Sequence, residues 1–185
     1  AWRAGIEVVA MDGFTGFKTA AQEHLPDAQT VMDPFHVVKL AGDALDDARR
    51  RVQQATLGRR GRKQDPLYQA RRVLLTGKEF LTERQQARLD ALFADERHAD
   101  VHQLWKVYQQ LLSAYRDQNR GYGRRRLRRL VDLIGRDVPA RLAELRRLGH
   151  TLHKRRDDVL AYFDFPRTSN GPTEALNGRL EHLRG

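Results

Sequence analysis

Ile6-Glu7-Val8-Val9-Ala10-Met11-Asp12-Gly13 decides the fold. The run is apolar and β-branched on nearly every position, so it reads as a short strand buried on both faces, ended by Asp12-Gly13. Phe14, Phe17, Ala20, Ala21 and Leu25 then recur at helical spacing until Pro26-Asp27 stops them. Gln29-Thr30-Val31-Met32 follows as a second short strand, closed by Asp33. Strand, helix and strand make a βαβ unit, and its right-handed crossover lays the strands parallel. Asp12 and Asp33 are therefore predicted to emerge together at the carboxyl edge of the sheet, where open parallel sheets bind ligands.

Beyond Asp33 the pattern is helical, and no strand signal returns. His36, Val37, Leu40, Ala44, Leu45 and Ala48 open a helix that runs into Arg49-Arg50-Arg51 and breaks in a basic, glycine-containing loop between Leu57 and Pro66. Further helices are predicted at Leu67 to Leu75 and after the N-cap sequence Thr82-Glu83-Arg84-Gln85. The strongest amphipathic helix is placed at Leu104, Tyr108, Leu111 and Tyr115, flanked by Trp105 and Leu112. Two more follow, Arg124 to Ile134 and Pro139 to Phe163, the latter capped by Asp137. A last helix opens at Ser169-Asn170-Gly171-Pro172, with Leu176, Leu180 and Leu183 on one face and Glu174, Asn177 and Glu181 on the other. The fold class is α/β and mostly helical. Its expected organisation is a strand-bearing part at 1–42, an all-helical insertion at 43–166 and a terminal helix at 167–185.

At 185 residues the chain is one domain, or one domain with a large insertion. Its formal charge of +10, from 34 Lys and Arg against 24 Asp and Glu, attracts polyanions and makes DNA the expected partner. Absence of cysteine excludes disulfides and thiolate metal sites. Neither a transmembrane-length apolar run nor a signal-peptide pattern is present, so the expectation is a soluble, cytoplasmic, nucleoid-associated protein without a membrane partner. The first residue is not Met, and the chain stops at Leu183-Arg184-Gly185 within three residues of a helical pattern, so it is expected to be a piece of a longer protein.

Three constellations bear on chemistry. Asp12 at a strand end and Glu174 at a helix start are acids of the kind that two divalent ions in a phosphoryl-transfer site require, since hard Mg²⁺ takes oxygen ligands. Each also has a local explanation, Asp12 as a turn residue and Glu174 as a first-turn acid favoured by the helix dipole. Asp33-Pro34-Phe35-His36 is the second: Asp33 suits an N-cap before Pro34, and His36 is a candidate to orient a carboxylate, touch a phosphate or sit in the core. The third is basic density. Arg59, Arg60, Arg62 and Lys63 fill the loop. Arg124, Arg125, Arg126, Arg128 and Arg129 follow Tyr122, a residue able to stack on a base, while Leu127, Leu130, Val131 and Ile134 hold the other side of that helix.

Taken together, Val8-Val9-Ala10-Met11-Asp12, Leu25-Pro26-Asp27-Ala28, Val31-Met32-Asp33-Pro34-Phe35-His36-Val37-Val38-Lys39-Leu40 and Ser169-Asn170-Gly171 with Glu174 and Asn177 resemble the ISL-three family of bacterial DDE transposases. The resemblance implies a ribonuclease H-like core interrupted by an all-α insertion, and DNA cleavage and strand transfer with two Mg²⁺ (or Mn²⁺) ions. It makes Asp12 and Glu174 the catalytic, metal-binding acids and Asp33, His36 and Asn177 accessory; Asp33 remains open as an alternative second acid. By the same resemblance, the first catalytic aspartate belongs to a strand ahead of residue 1. The chain would then be inactive alone and part of a homo-oligomer when intact. Two rivals stand beside this reading: a non-catalytic basic helical module that binds nucleic acid, and a structure-selective nuclease on the same fold.

Overall fold

Val8–Met11 (β1) and Gln29–Met32 (β2) pair in parallel, with Val8 opposite Gln29 and Met11 opposite Met32. The helix Thr15–His24 (α1) makes the crossover between them, as the spacing of the apolar residues predicts. The computed structural model describes residues 5–13, 15–59, 61–166 and 168. Among these, β1 and β2 form the one sheet, and all other regular structure is helical. The fold is thus α/β and mostly helix.

Burial of β1 differs from expectation. Only Met11 is buried, and Val8, Val9 and Ala10 are half-buried, in a sheet that has two strands among the described residues. β2 is better covered, its Val31 and Met32 being fully buried.

Helix α2 runs unbroken over Pro34–Leu57 and stops at Gly58, whose φ of 65° is the left-handed conformation that a helix terminus favours and glycine adopts without strain. After α3 (Pro66–Ala70) the predicted helix to Leu75 breaks. Arg71 lies over the Tyr68 ring and donates to the Tyr68 carbonyl at 2.9 Å, and the chain continues as a 3₁₀ turn at Val73–Leu75. Tyr108 and Gln109 take up the carbonyls of Leu75 and Thr76, both at 3.0 Å. α4 (Glu83–Phe93) begins at the foreseen cap, with Thr82 and Gln85 in a reciprocal capping box.

α5 (Ala99–Tyr115) is amphipathic as its sequence suggests: Leu104, Trp105, Tyr108, Leu111 and Leu112 are buried, while Gln103, Lys106 and Gln110 are exposed. α6 (Arg120–Ile134) buries Leu127, Leu130, Val131 and Ile134 as predicted. It meets α7 (Ala143–Lys154) so closely that a Cβ on Gly149 would lie 1.8 Å from the Ile134 carbonyl oxygen.

The single helix expected from Pro139 to Phe163 is two. α7 starts at Ala143, where buried Glu144 accepts two hydrogen bonds from Arg51 of α2, at 2.7 and 3.1 Å. The chain leaves helical geometry at Arg155 (φ −106°, ψ 19°) before α8 (Arg156–Ala161), which packs on β2.

Spatial proximity divides the chain into two units, 1–37 with 155–185, and 38–154. Residues 155–166 group with the strands. A polar hub on Asp158 joins them to the strands, beside the buried Val159 and Leu160: Thr30 of β2 donates to Asp158 at 2.6 Å, Lys18 of α1 at 2.7 Å and Arg155 at 2.8 Å.

Candidate functional site

The strand-bearing unit places Asp12 and Asp33 as the register requires. Met11 and Met32 are the last paired residues, and the Asp33 N–H donates to the Met11 carbonyl at 2.9 Å. Both aspartates therefore leave neighbouring parallel strands at the carboxyl edge, where strand spacing is about 4.8 Å. Their surroundings differ. Asp12 is partly exposed. Asp33 is 2% exposed and caps α2, with one carboxylate oxygen accepting from the Phe35 N–H at 2.8 Å and its carbonyl accepting from Val37 N–H at 3.1 Å. Pro34, which has no N–H to satisfy, suits the first position of that helix. His36 lies half-buried in the same first turn, edge-on to the exposed Phe35 ring.

Glu174 and Asn177 lie outside the described residues, as does Arg60. Among the described residues no three carboxylate or imidazole groups converge as a metal site. The acids that do come together, Asp12 and Asp33, offer carboxylate oxygens, the donor type that suits a hard divalent ion.

In the helical unit the two basic stretches have different settings. Arg59 grips Asp65 with two hydrogen bonds, 2.8 and 3.0 Å, and the Arg62 N–H also donates to that carboxylate. The paired hydrogen bonds raise the Arg59 guanidinium pKa, and with the Arg62 N–H they hold Asp65 below the usual carboxylate range. Arg62 and Lys63 are exposed on this loop.

On α6, Arg125, Arg128 and Arg129 are exposed and Arg124 and Arg126 half-buried. Arg126 stands 3.6 Å from Asp117. The half-exposed Tyr122 ring has the guanidinium groups of Arg125 and Arg126 at 5.8 and 5.7 Å. A cation-flanked aromatic on a basic helix can meet phosphate and base together.

The hub on Asp158 is the feature that sequence reading missed. Arg155-Arg156-Asp157-Asp158 looks like a solvated charge run, yet Arg155 and Asp158 are 5% and 2% exposed. The partners of Asp158 on α1 and β2 lie more than a hundred positions away, so no local signal announces them.

A parallel βαβ unit that sets two acids at its carboxyl edge, in a basic and mostly helical chain, defines an α/β class fitted to a polyanionic substrate. The chain belongs to the ISL3 family of DDE transposases: the family model described as transposase matches residues 1–185. No curated protein and no solved structure matches it. Membership makes transposition its function and DNA its partner. No helix among the described residues is long and apolar enough to cross a membrane.

Proposed function

We propose that this chain supplies the second and third acids of a DDE site, Asp12 and Glu174, which hold Mg²⁺ during DNA cleavage and strand transfer. The observation carrying this reading is the sheet edge, where Asp12 is partly exposed beside an Asp33 committed to a helix cap. That contrast favours Asp12 over Asp33 as the ligand. The bound ions would supply activation of the attacking oxygen and stabilisation of the leaving oxygen in an in-line displacement at phosphorus.

The chain's own residues divide the remaining work. Asp33 fixes the start of α2 and with it His36, which would support the scissile phosphate or orient Asp33. Asn177, three residues beyond Glu174, would share its helical face. Arg124, Arg125, Arg126, Arg128 and Arg129, with Arg62 and Lys63, would clamp DNA through its phosphates, fixing orientation with little sequence preference. A ribonuclease H-like core interrupted by a helical insertion remains the proposed architecture, and the grouping of 155–166 with the strands favours 38–154 over 43–166 as the bounds of that insertion.

The test is Asp12→Asn and Glu174→Gln in the transposase that carries this chain. Both variants should lose Mg²⁺-dependent cleavage of labelled transposon ends while binding the same DNA as the native protein does. Cleavage retained by either variant would sink the assignment and leave a basic DNA-binding module.

A further inference from the structure

We infer that the hub of Thr30, Lys18, Arg155 and Asp158 positions the acidic sheet edge for its metal, acting behind Asp12 rather than touching substrate. This rests on the reading of Asp12 as a metal-bearing acid.

Three elements converge on one carboxylate. Thr30 of β2 donates to one oxygen of Asp158, and Lys18 of α1 and Arg155 before α8 donate to the other. Arg155 also places a guanidinium nitrogen 3.4 Å from the Met11 sulfur. Met11 ends β1 and directly precedes Asp12.

The hub therefore grips β2 through Thr30 and reaches β1 through Met11. In a parallel pair, residues opposite each other point to the same sheet face, so Val9, Met11, Thr30 and Met32 share one face, and Thr30 and Met11 belong to this network. Arg155 and Asp158 are buried on one side of a two-stranded sheet, with Thr30 and Lys18 half-buried beside them. That is a costly way to make a mere core, because apolar residues of similar volume would serve stability as well or better. What such a network adds is a fixed geometry. Here the fixed objects are the two strands whose next residues are Asp12 and Asp33. Residues one step behind a metal ligand commonly tune affinity by orienting it.

Thr30 offers the cleanest test, because valine keeps its shape and deletes the hydroxyl, whereas serine keeps the hydroxyl. In the transposase that carries this chain, Mn²⁺ binding would be titrated by electron paramagnetic resonance, with DNA affinity and circular dichroism measured alongside. Thr30→Val and Arg155→Met should each raise the Mn²⁺ Kd by roughly tenfold, the lower end of the effect for groups behind a ligand. DNA affinity should stay at the native value, and Thr30→Ser should restore Mn²⁺ binding. If Arg155→Met fails to fold, Lys18→Met at the more exposed end of the hub replaces it, with the same rise expected.

Native Mn²⁺ affinity in folded Thr30→Val and Lys18→Met, with Asp12→Asn abolishing binding, would overturn the positioning role and leave the metal reading standing. Native affinity in Asp12→Asn would overturn the metal reading, and the inference with it.

Discussion

The two units of the chain arrange their charges differently. Around the strands, order comes from a polar hub in which Asp158 collects three donors from three elements. Within 38–154 it comes from apolar helix packing around a few paired charges, buried Glu144 with Arg51 and buried Arg49 with Asp46, while Arg125, Arg128 and Arg129 of α6 turn outward. The difference assigns different consequences to the same kind of substitution. Removing a charge beside the strands should break structure, whereas removing one from the outer face of α6 should change only what the surface binds.

The largest effect should follow from Asp158→Ala. It strands the 5%-exposed Arg155 without its carboxylate, and breaking a buried pair on one side costs about 3–5 kcal/mol. Urea unfolding measures it, and a loss below about 0.5 kcal/mol, the range of ordinary surface changes, would erase the contrast between the units. Next comes Gly149→Ala. Its Cβ would meet backbone, the Ile134 carbonyl, so α6 and α7 must move apart, at about 1–3 kcal/mol for overpacking. An unchanged thermal midpoint would show that the helical unit is looser than its close crossing implies.

Smaller in stability but visible in binding is Arg125→Ala with Arg128→Ala and Arg129→Ala. These exposed side chains should leave folding within about 0.5 kcal/mol of native, while log K against log salt becomes shallower by about one unit for each DNA phosphate that an arginine no longer neutralises. Arg59→Ala, in the other basic stretch, should leave that slope almost unchanged. Its guanidinium is engaged by Asp65, so the substitution would loosen the loop rather than release DNA. Equal slopes for the two variants would mean that the acid beside Arg59 does not distinguish the stretches.

What could be read in the sequence was what local chemistry decides. The βαβ unit, the parallel register, the paired aspartates and the Thr82 cap each rest on residues close together in the chain, and each is present. Asp33 as the cap of α2 was legible for the same reason. Failures began where distant partners intervene. The expected helix to Phe163 breaks at Arg155, whose guanidinium reaches the sulfur of Met11 far away in the chain, and helix periodicity carries no trace of that contact. The helix expected through Leu75 breaks where Arg71 folds back on Tyr68, with Tyr108 and Gln109 of α5 satisfying the freed carbonyls. Strand β1 looked buried on both faces because an apolar run records composition and not the number of neighbouring strands. Of the site, the sheet edge was visible, but the hub behind it was not, since Lys18 and Thr30 lie more than a hundred positions from Asp158.

The mildest test of the contrast uses protons in place of substitutions within the helical unit. Burial, the largest influence on Glu144, pushes its carboxyl up. The Arg51 hydrogen bonds, a backbone hydrogen bond and the charges of Arg51 and Arg147 together outweigh it and hold the group below its ordinary 4.5. A carboxyl depressed on folding contributes stability that is complete above the unfolded value and lost as pH falls through the folded one. Asp95, lowered to about 2 from 3.8 by hydrogen bonds from Arg97, follows the same sign over a more acidic window. Native protein should therefore exceed Glu144→Gln in stability at pH 7, with the gap closing as pH drops below about 4.5, while the Asp95→Asn deficit should start to shrink only below about 3.8 and vanish nearer pH 2. Urea midpoints at stepped pH separate the two. A Glu144 gap that stays constant down to pH 2 would mean that Arg51 and Glu144 are held by shape rather than by charge, and the helical unit would then owe still less to its ion pairs.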